Sequence, residues 1–190
     1  MKKTPAVRLL IAAVIYTAMY VLGSSCGLIH PACYAYVGTF MPILFSFMYL
    51  YAAVHLRAFG AAAVLNGLAI IVSLISGEWD PALIIGMIVL TLLSELLRRI
   101  NGYETLKGVR RSFIPFAFSF YAYSAHWWIY TEKSLEAAAE EMPAGYADKM
   151  EIVIHNIPVL VLMLVLTIPV AILGMRIAEK VLKKQTASLR

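Results

Sequence analysis

The chain has 190 residues, 62% of them hydrophobic and 14% charged, with a formal net charge of +5. A soluble domain carries about a quarter charged residues, so this balance excludes one. The apolar residues fall in long runs that read as an integral membrane protein, and the positive charge sits in short clusters between the runs rather than in a nucleic-acid-binding patch.

The first run, MKKTPAVRLLIAAVIYTAMYVLG, begins like a signal peptide. It is long, however, no small-residue cleavage site closes it, and further runs follow. It is read as a retained first helix over 7–27. Spans are then expected over 32–54, 59–76, 81–99, 112–130 and 152–178, each near the roughly 20 residues that cross about 30 Å of hydrocarbon. The third is short and the sixth long enough to tilt. Pro42, Pro115, Pro158 and Pro169 fall inside predicted helices, where membrane proteins tolerate them. Between the fifth and sixth spans, EKSLEAAAEEMPAGYADKM (132–150) predicts an amphipathic, partly helical segment broken at Met142–Gly145. The expectation is a single all-α membrane domain over 1–190 with six transmembrane helices.

Charge gives this layout a direction. With the N-terminus inside, segments 1–8, 55–58, 98–111 and 176–190 hold 14 of the 16 Lys and Arg. The opposite segments hold Lys133 and Lys149 against eight acids. That asymmetry predicts both termini in the cytoplasm of a bacterial or archaeal cell membrane. Glu95 ends the fourth span with Arg98 and Arg99 three and four residues on, a spacing that predicts a local ion pair.

No Walker A motif, HExxH or Cys-x-x-Cys occurs, and no catalytic set is visible, so the chain is read as a non-enzyme without intrinsic cofactor. Cys26 and Cys33 share a predicted membrane edge, and spacing leaves open whether they pair.

The candidate site comes from the outer half of the fifth span. Tyr123, His126, Trp127 and Tyr130 recur at helical spacing on one face. An interfacial aromatic belt explains the Trp and Tyr residues but not His126. His30 and Tyr34, Trp79, and His155 with Asn156 are predicted at the same level. Together they suggest an outward-facing pocket with aromatic walls and a few polar anchors, shaped for a flat vitamin or haem. The histidines and cysteines are also possible metal or haem ligands, though no metal site is assigned.

Gly77-Glu78-Trp79 before the fourth span, Gly86, Ser94-Glu95-Leu96-Leu97, Gly102-Tyr103 and the C-terminal Gly174-x-x-Ile-Ala-x-Lys-Val-Leu-Lys-Lys run carry a family resemblance. In order and spacing they resemble the Trep_Strep membrane proteins, related to the MptD-like group, and more broadly the substrate-binding S component of energy-coupling factor (ECF) transporters. The resemblance implies an S-component-like bundle that captures a small molecule for an ABC importer. It also implies docking on a transmembrane coupling protein (the T component) with two cytoplasmic ATPases, followed by toppling in the bilayer. S components dock through small residues on helix one, and Ala13 and Thr17 are the nearest equivalent here. Membrane lipid and a small-molecule substrate complete the expected partners, with no nucleic acid. The rival readings are a self-contained secondary transporter and a membrane scaffold without a small-molecule ligand.

Overall fold

The computed structural model describes residues 5–187. Lys2, Lys3 and Arg190 of the basic ends lie outside this range. All regular structure among the described residues is helical. The helices are α1 (Pro5–Ser25), α2 (Pro31–Tyr36), α3 (Met41–His55), α4 (Ala61–Ser76), α5 (Pro81–Asn101), α6 (Leu106–Phe116), α7 (Ser119–Ser124), α8 (His126–Ile129), α9 (Thr131–Glu141), α10 (Tyr146–Ile154), α11 (Ile157–Val181) and α12 (Lys183–Thr186).

Packing closes a ring. α1 lies against α3 and α4, α5 joins α4 to α6 and α7, and α11 returns along α6 and α3. Each long helix sorts its residues by face. In α1, Ala12, Ala13, Tyr16 and Tyr20 are buried while Leu10, Val14, Val21 and Leu22 are exposed. In α5, Leu83, Met87, Ser94, Glu95 and Arg98 turn inward, while Ile85, Ile88, Val89, Leu92 and Leu96 stay exposed. A continuous apolar outer face of this size suits acyl chains and not water.

The six-span expectation is corrected. Among the described residues, three helical stretches are long and apolar enough to cross a membrane: Ala6–Leu28, Pro81–Asn101 and Ile157–Val181. A fourth counts if Pro31–Thr39 and Met41–His55, bent by 42° at Phe40, form one span. Pro42 stands in the first turn of α3, where its missing N–H costs no helical hydrogen bond. α4 has 16 residues, about 24 Å at 1.5 Å per residue, short of the hydrocarbon thickness. The predicted span 112–130 is three short helices instead. Pro115 removes one ladder donor, and Phe118 N then turns back to Pro115 O at 3.1 Å in a tighter turn. Hydropathy counted Phe and Tyr as spanning residues without registering that break. The cytoplasmic placement of both termini rested on six alternating crossings; three crossings would put the ends on opposite sides and four on the same side, so the count no longer fixes it.

Glycine sets two close approaches. A Cβ on Gly174 would lie 2.9 Å from both Ile43 Cα and Pro42 O, so α11 meets the backbone of α3 directly. A Cβ on Gly86 would meet Ala122 Cβ at 2.9 Å.

The charged end is tied by caps. Glu95 Oε1 accepts from Ala62 N at 2.9 Å, at the start of α4. Arg98 Nη2 donates to Ala53 O and Leu56 O, both at 2.7 Å, at the end of α3. Anionic and cationic groups thus sit where the helix dipoles favour them. This replaces the expected local pair of Glu95 with Arg98 and Arg99, since the ion pair found among the described residues is Arg110–Glu179. The turn between α3 and α4 presents its orphan backbone groups to α5, and the two side chains answer them.

Candidate functional site

At the end of the bundle opposite these caps lies a cavity of about 580 Å³. Five regions converge on it: the end of α1 and the turn after it, α2, the Gly77–Asp80 turn, α7 with α8, and α9 with Tyr146 of α10. The Gly77 turn is possible because Gly77 adopts a left-handed conformation with φ 81°. Asp80 then accepts from Leu83 N at 2.9 Å and starts α5.

Tyr34, Trp79, Tyr123, His126, Trp127 and Tyr130 all line this cavity. Tyr34 meets Trp127 edge-on, with centroids 6.0 Å apart, and His126 lies 4.9 Å from the Trp127 ring. Trp127 is 6% exposed, and its indole N–H has no acceptor among the described residues. Trp79 is 51% exposed and stands at the rim.

His126 joins wall to cover. Ser134 Oγ of α9 donates to His126 O at 3.1 Å. Its one hydroxyl proton being used, Ser134 accepts from His126 Nδ1 at 3.0 Å. Nε2 is therefore the basic nitrogen. Burial lowers the imidazole pKa below its ordinary value, while the Asp80 and Glu78 carboxylates pull it partly back.

His30, His155 and Asn156 are placed elsewhere, as local caps. His30 Nδ1 accepts from Ala32 N at 3.1 Å and begins α2. His155 Nδ1 donates to Glu151 O at 2.8 Å. Asn156 Oδ1 accepts from Val159 N at 3.3 Å and begins α11. Ala13 is 1% exposed inside the bundle, so Ala13 and Thr17 present no open stripe to a docking helix.

Cys26 and Cys33 are free thiols. Among the described residues, no group of three or more His, Cys, Asp or Glu side chains is placed to hold a metal ion.

Several lining residues lie outside the predicted set: Glu78 and Asp80, Ser134 and Glu141 of α9, and Tyr146. The turn before Pro81 was a visible signal for the first two. Segment 132–150 was readable as a partly helical cap over the outer face, but nothing in it marked Ser134, Glu141 or Tyr146 as the residues that meet the cavity.

Behind the wall a polar seam enters the bundle. The Tyr123 ring meets Tyr20 edge-on at 5.6 Å. Tyr20 bonds Tyr16 at 2.9 Å, and Tyr16 donates to Asn66 Oδ1 at 2.7 Å. Asn66 Nδ2 donates to Thr91 at 2.9 Å and to Ser119 at 3.1 Å.

A family model described as "Hypothetical bacterial integral membrane protein (Trep_Strep)" matches residues 5–187. The chain belongs to the Trep_Strep family. It is a multi-pass integral membrane protein, in keeping with a bacterial or archaeal cell membrane. No curated protein and no solved structure matches this Trep_Strep chain. The broader resemblance to an ECF S component is corrected accordingly. A bundle with three or four candidate spans takes the place of the six-helix layout, so the ABC-importer and vitamin-uptake role goes with it. The T component and two ATPases were implied by that resemblance alone and are withdrawn as partners.

Proposed function

We propose that this Trep_Strep protein is a self-contained secondary transporter that receives a small molecule in the aromatic cavity. In this reading Tyr34, Trp79, Tyr123, His126, Trp127 and Tyr130 face the ligand, and the protein performs no catalysis and needs no intrinsic cofactor. The observation that carries the reading is the polar seam Tyr123–Tyr20–Tyr16–Asn66, which leads from the cavity wall into the membrane-embedded bundle. Buried polar groups are costly in apolar surroundings unless hydrogen-bonded, and intramembrane polar clusters commonly mark solute pathways. A rigid scaffold would be served as well by Leu and Phe along the same line.

The test is reconstitution of the chain alone in liposomes, with its solute first identified by native mass spectrometry of the purified protein. Uptake is expected to follow a proton or sodium gradient. Asn66→Leu is expected to slow uptake at least tenfold while the solute still binds. A protein that carries no solute and shows no gradient-dependent uptake would instead be a scaffold.

A further inference from the structure

The charges on the cavity wall specify its ligand more narrowly than its shape does. Glu78, Asp80 and Glu141 line the cavity against a single lysine, Lys133. Glu78 Oε2 accepts from Tyr123 at 3.1 Å, and Asp80 Oδ1 is used by the α5 cap. Each of these two carboxylates keeps a second oxygen without a hydrogen bond among the described residues. The same wall carries the rings of Tyr34, Trp79, Tyr123 and Trp127.

Aromatic faces attract cations through their quadrupole, most strongly when the cation is partly desolvated. Carboxylates at the rim add a long-range attraction that the enclosed geometry focuses. A polyanion such as haem, with its carboxylates, would meet charge of its own sign.

We infer that the cavity selects an organic cation, a protonated or quaternary amine next to an aromatic ring. This rests on the reading of the cavity as a ligand chamber. The ammonium group sits among Trp79, Tyr123 and Glu78, and the ring stacks toward Tyr34 and Trp127.

Three probes of similar size separate charge from shape: benzyltrimethylammonium, benzyl alcohol and benzoate. All three tryptophans of the chain, Trp79, Trp127 and Trp128, lie at this end, so intrinsic fluorescence of the purified protein in nanodiscs reports occupancy. Benzyltrimethylammonium is expected to bind about tenfold or more tightly than benzyl alcohol, and benzoate least. The double variant Glu78→Gln, Glu141→Gln removes two charges, while the new amide oxygen beside Tyr123 can still accept its hydroxyl proton. It is expected to erase most of the cation preference, read as the ratio of benzyltrimethylammonium to benzyl alcohol affinity. Saturable binding of alcohol or benzoate as tight as that of the cation would overturn the cation inference and leave the chamber standing. A cation preference undiminished in the double variant would overturn it too. Binding of none of the three would overturn both the chamber and the inference.

Discussion

His126 is the residue whose protonation the site controls most directly. Its imidazole is half-buried between wall and cover, and its Nδ1–H donates to Ser134. Because burial lowers its folded pKa, the folded protein prefers the neutral ring. The stabilisation is complete above the unfolded value of about 6.5 and is lost as pH falls through the lowered folded value. Below pH 6 the protein should therefore lose stability, and α9 should loosen from α8. Melting curves across pH 5–8 should show a Tm that falls on the acid side, and His126→Gln should flatten that dependence. An unaltered acid slope in the variant would assign the effect to other groups. Protonation also adds positive charge to a cavity already offset by one lysine, so benzyltrimethylammonium should bind less tightly at pH 5.5 than at pH 7.5.

At the scale of elements, two contacts carry distinct consequences. Gly174 lets α11 reach the α3 backbone, and neither Ile43 Cα nor Pro42 O can swing aside as a side-chain tip would. Gly174→Ala should cost about 1–3 kcal/mol by overpacking, read as a lower Tm in detergent. Arg98 binds the last carbonyls of α3 and also Tyr103 O at 3.2 Å. Arg98→Ala leaves those acceptors buried and Glu95 without a nearby cation. It should be the harsher change, about 3–5 kcal/mol for the lost charge-assisted hydrogen bonds, seen as loss of the monodisperse species in size-exclusion chromatography. A near-normal Tm in Arg98→Ala would mean water replaces the guanidinium. Much at this scale was legible in the sequence. The proline and glycine positions mark where α2–α3, α4 and α5 begin or end, because backbone restriction is local. The breaks within 112–130 were not legible. Pro115 marks the first of them, but a membrane helix can carry a proline without ending; the second, at Ala125, has no breaking residue and shows only in the folded chain.

For the whole molecule, the exposed apolar faces of α1, α5 and α11 define how it is held. It should stay in the membrane fraction through high-salt and alkaline carbonate washes and be released by detergent. Release by salt alone would mean attachment through the basic clusters and not through these faces. Membrane residence was determined by the sequence itself, because transfer free energy adds up along a run regardless of what the run later touches. Tyr34, Trp79, Tyr123, His126, Trp127 and Tyr130 line one cavity, though not as one helix face: Tyr123 belongs to α7, His126 and Trp127 to α8, and Tyr130 follows it. His30, His155 and Asn156 share that end of the chain's layout, yet their side chains turn back to cap helices, where a backbone N–H or carbonyl two to four residues away competes with any distant partner. Which helices cross, which polar groups converge and which acids join Glu78 at the cavity depend on contacts between segments far apart in sequence. Those were decided only in the tertiary structure, where burial forces each polar group to find a partner.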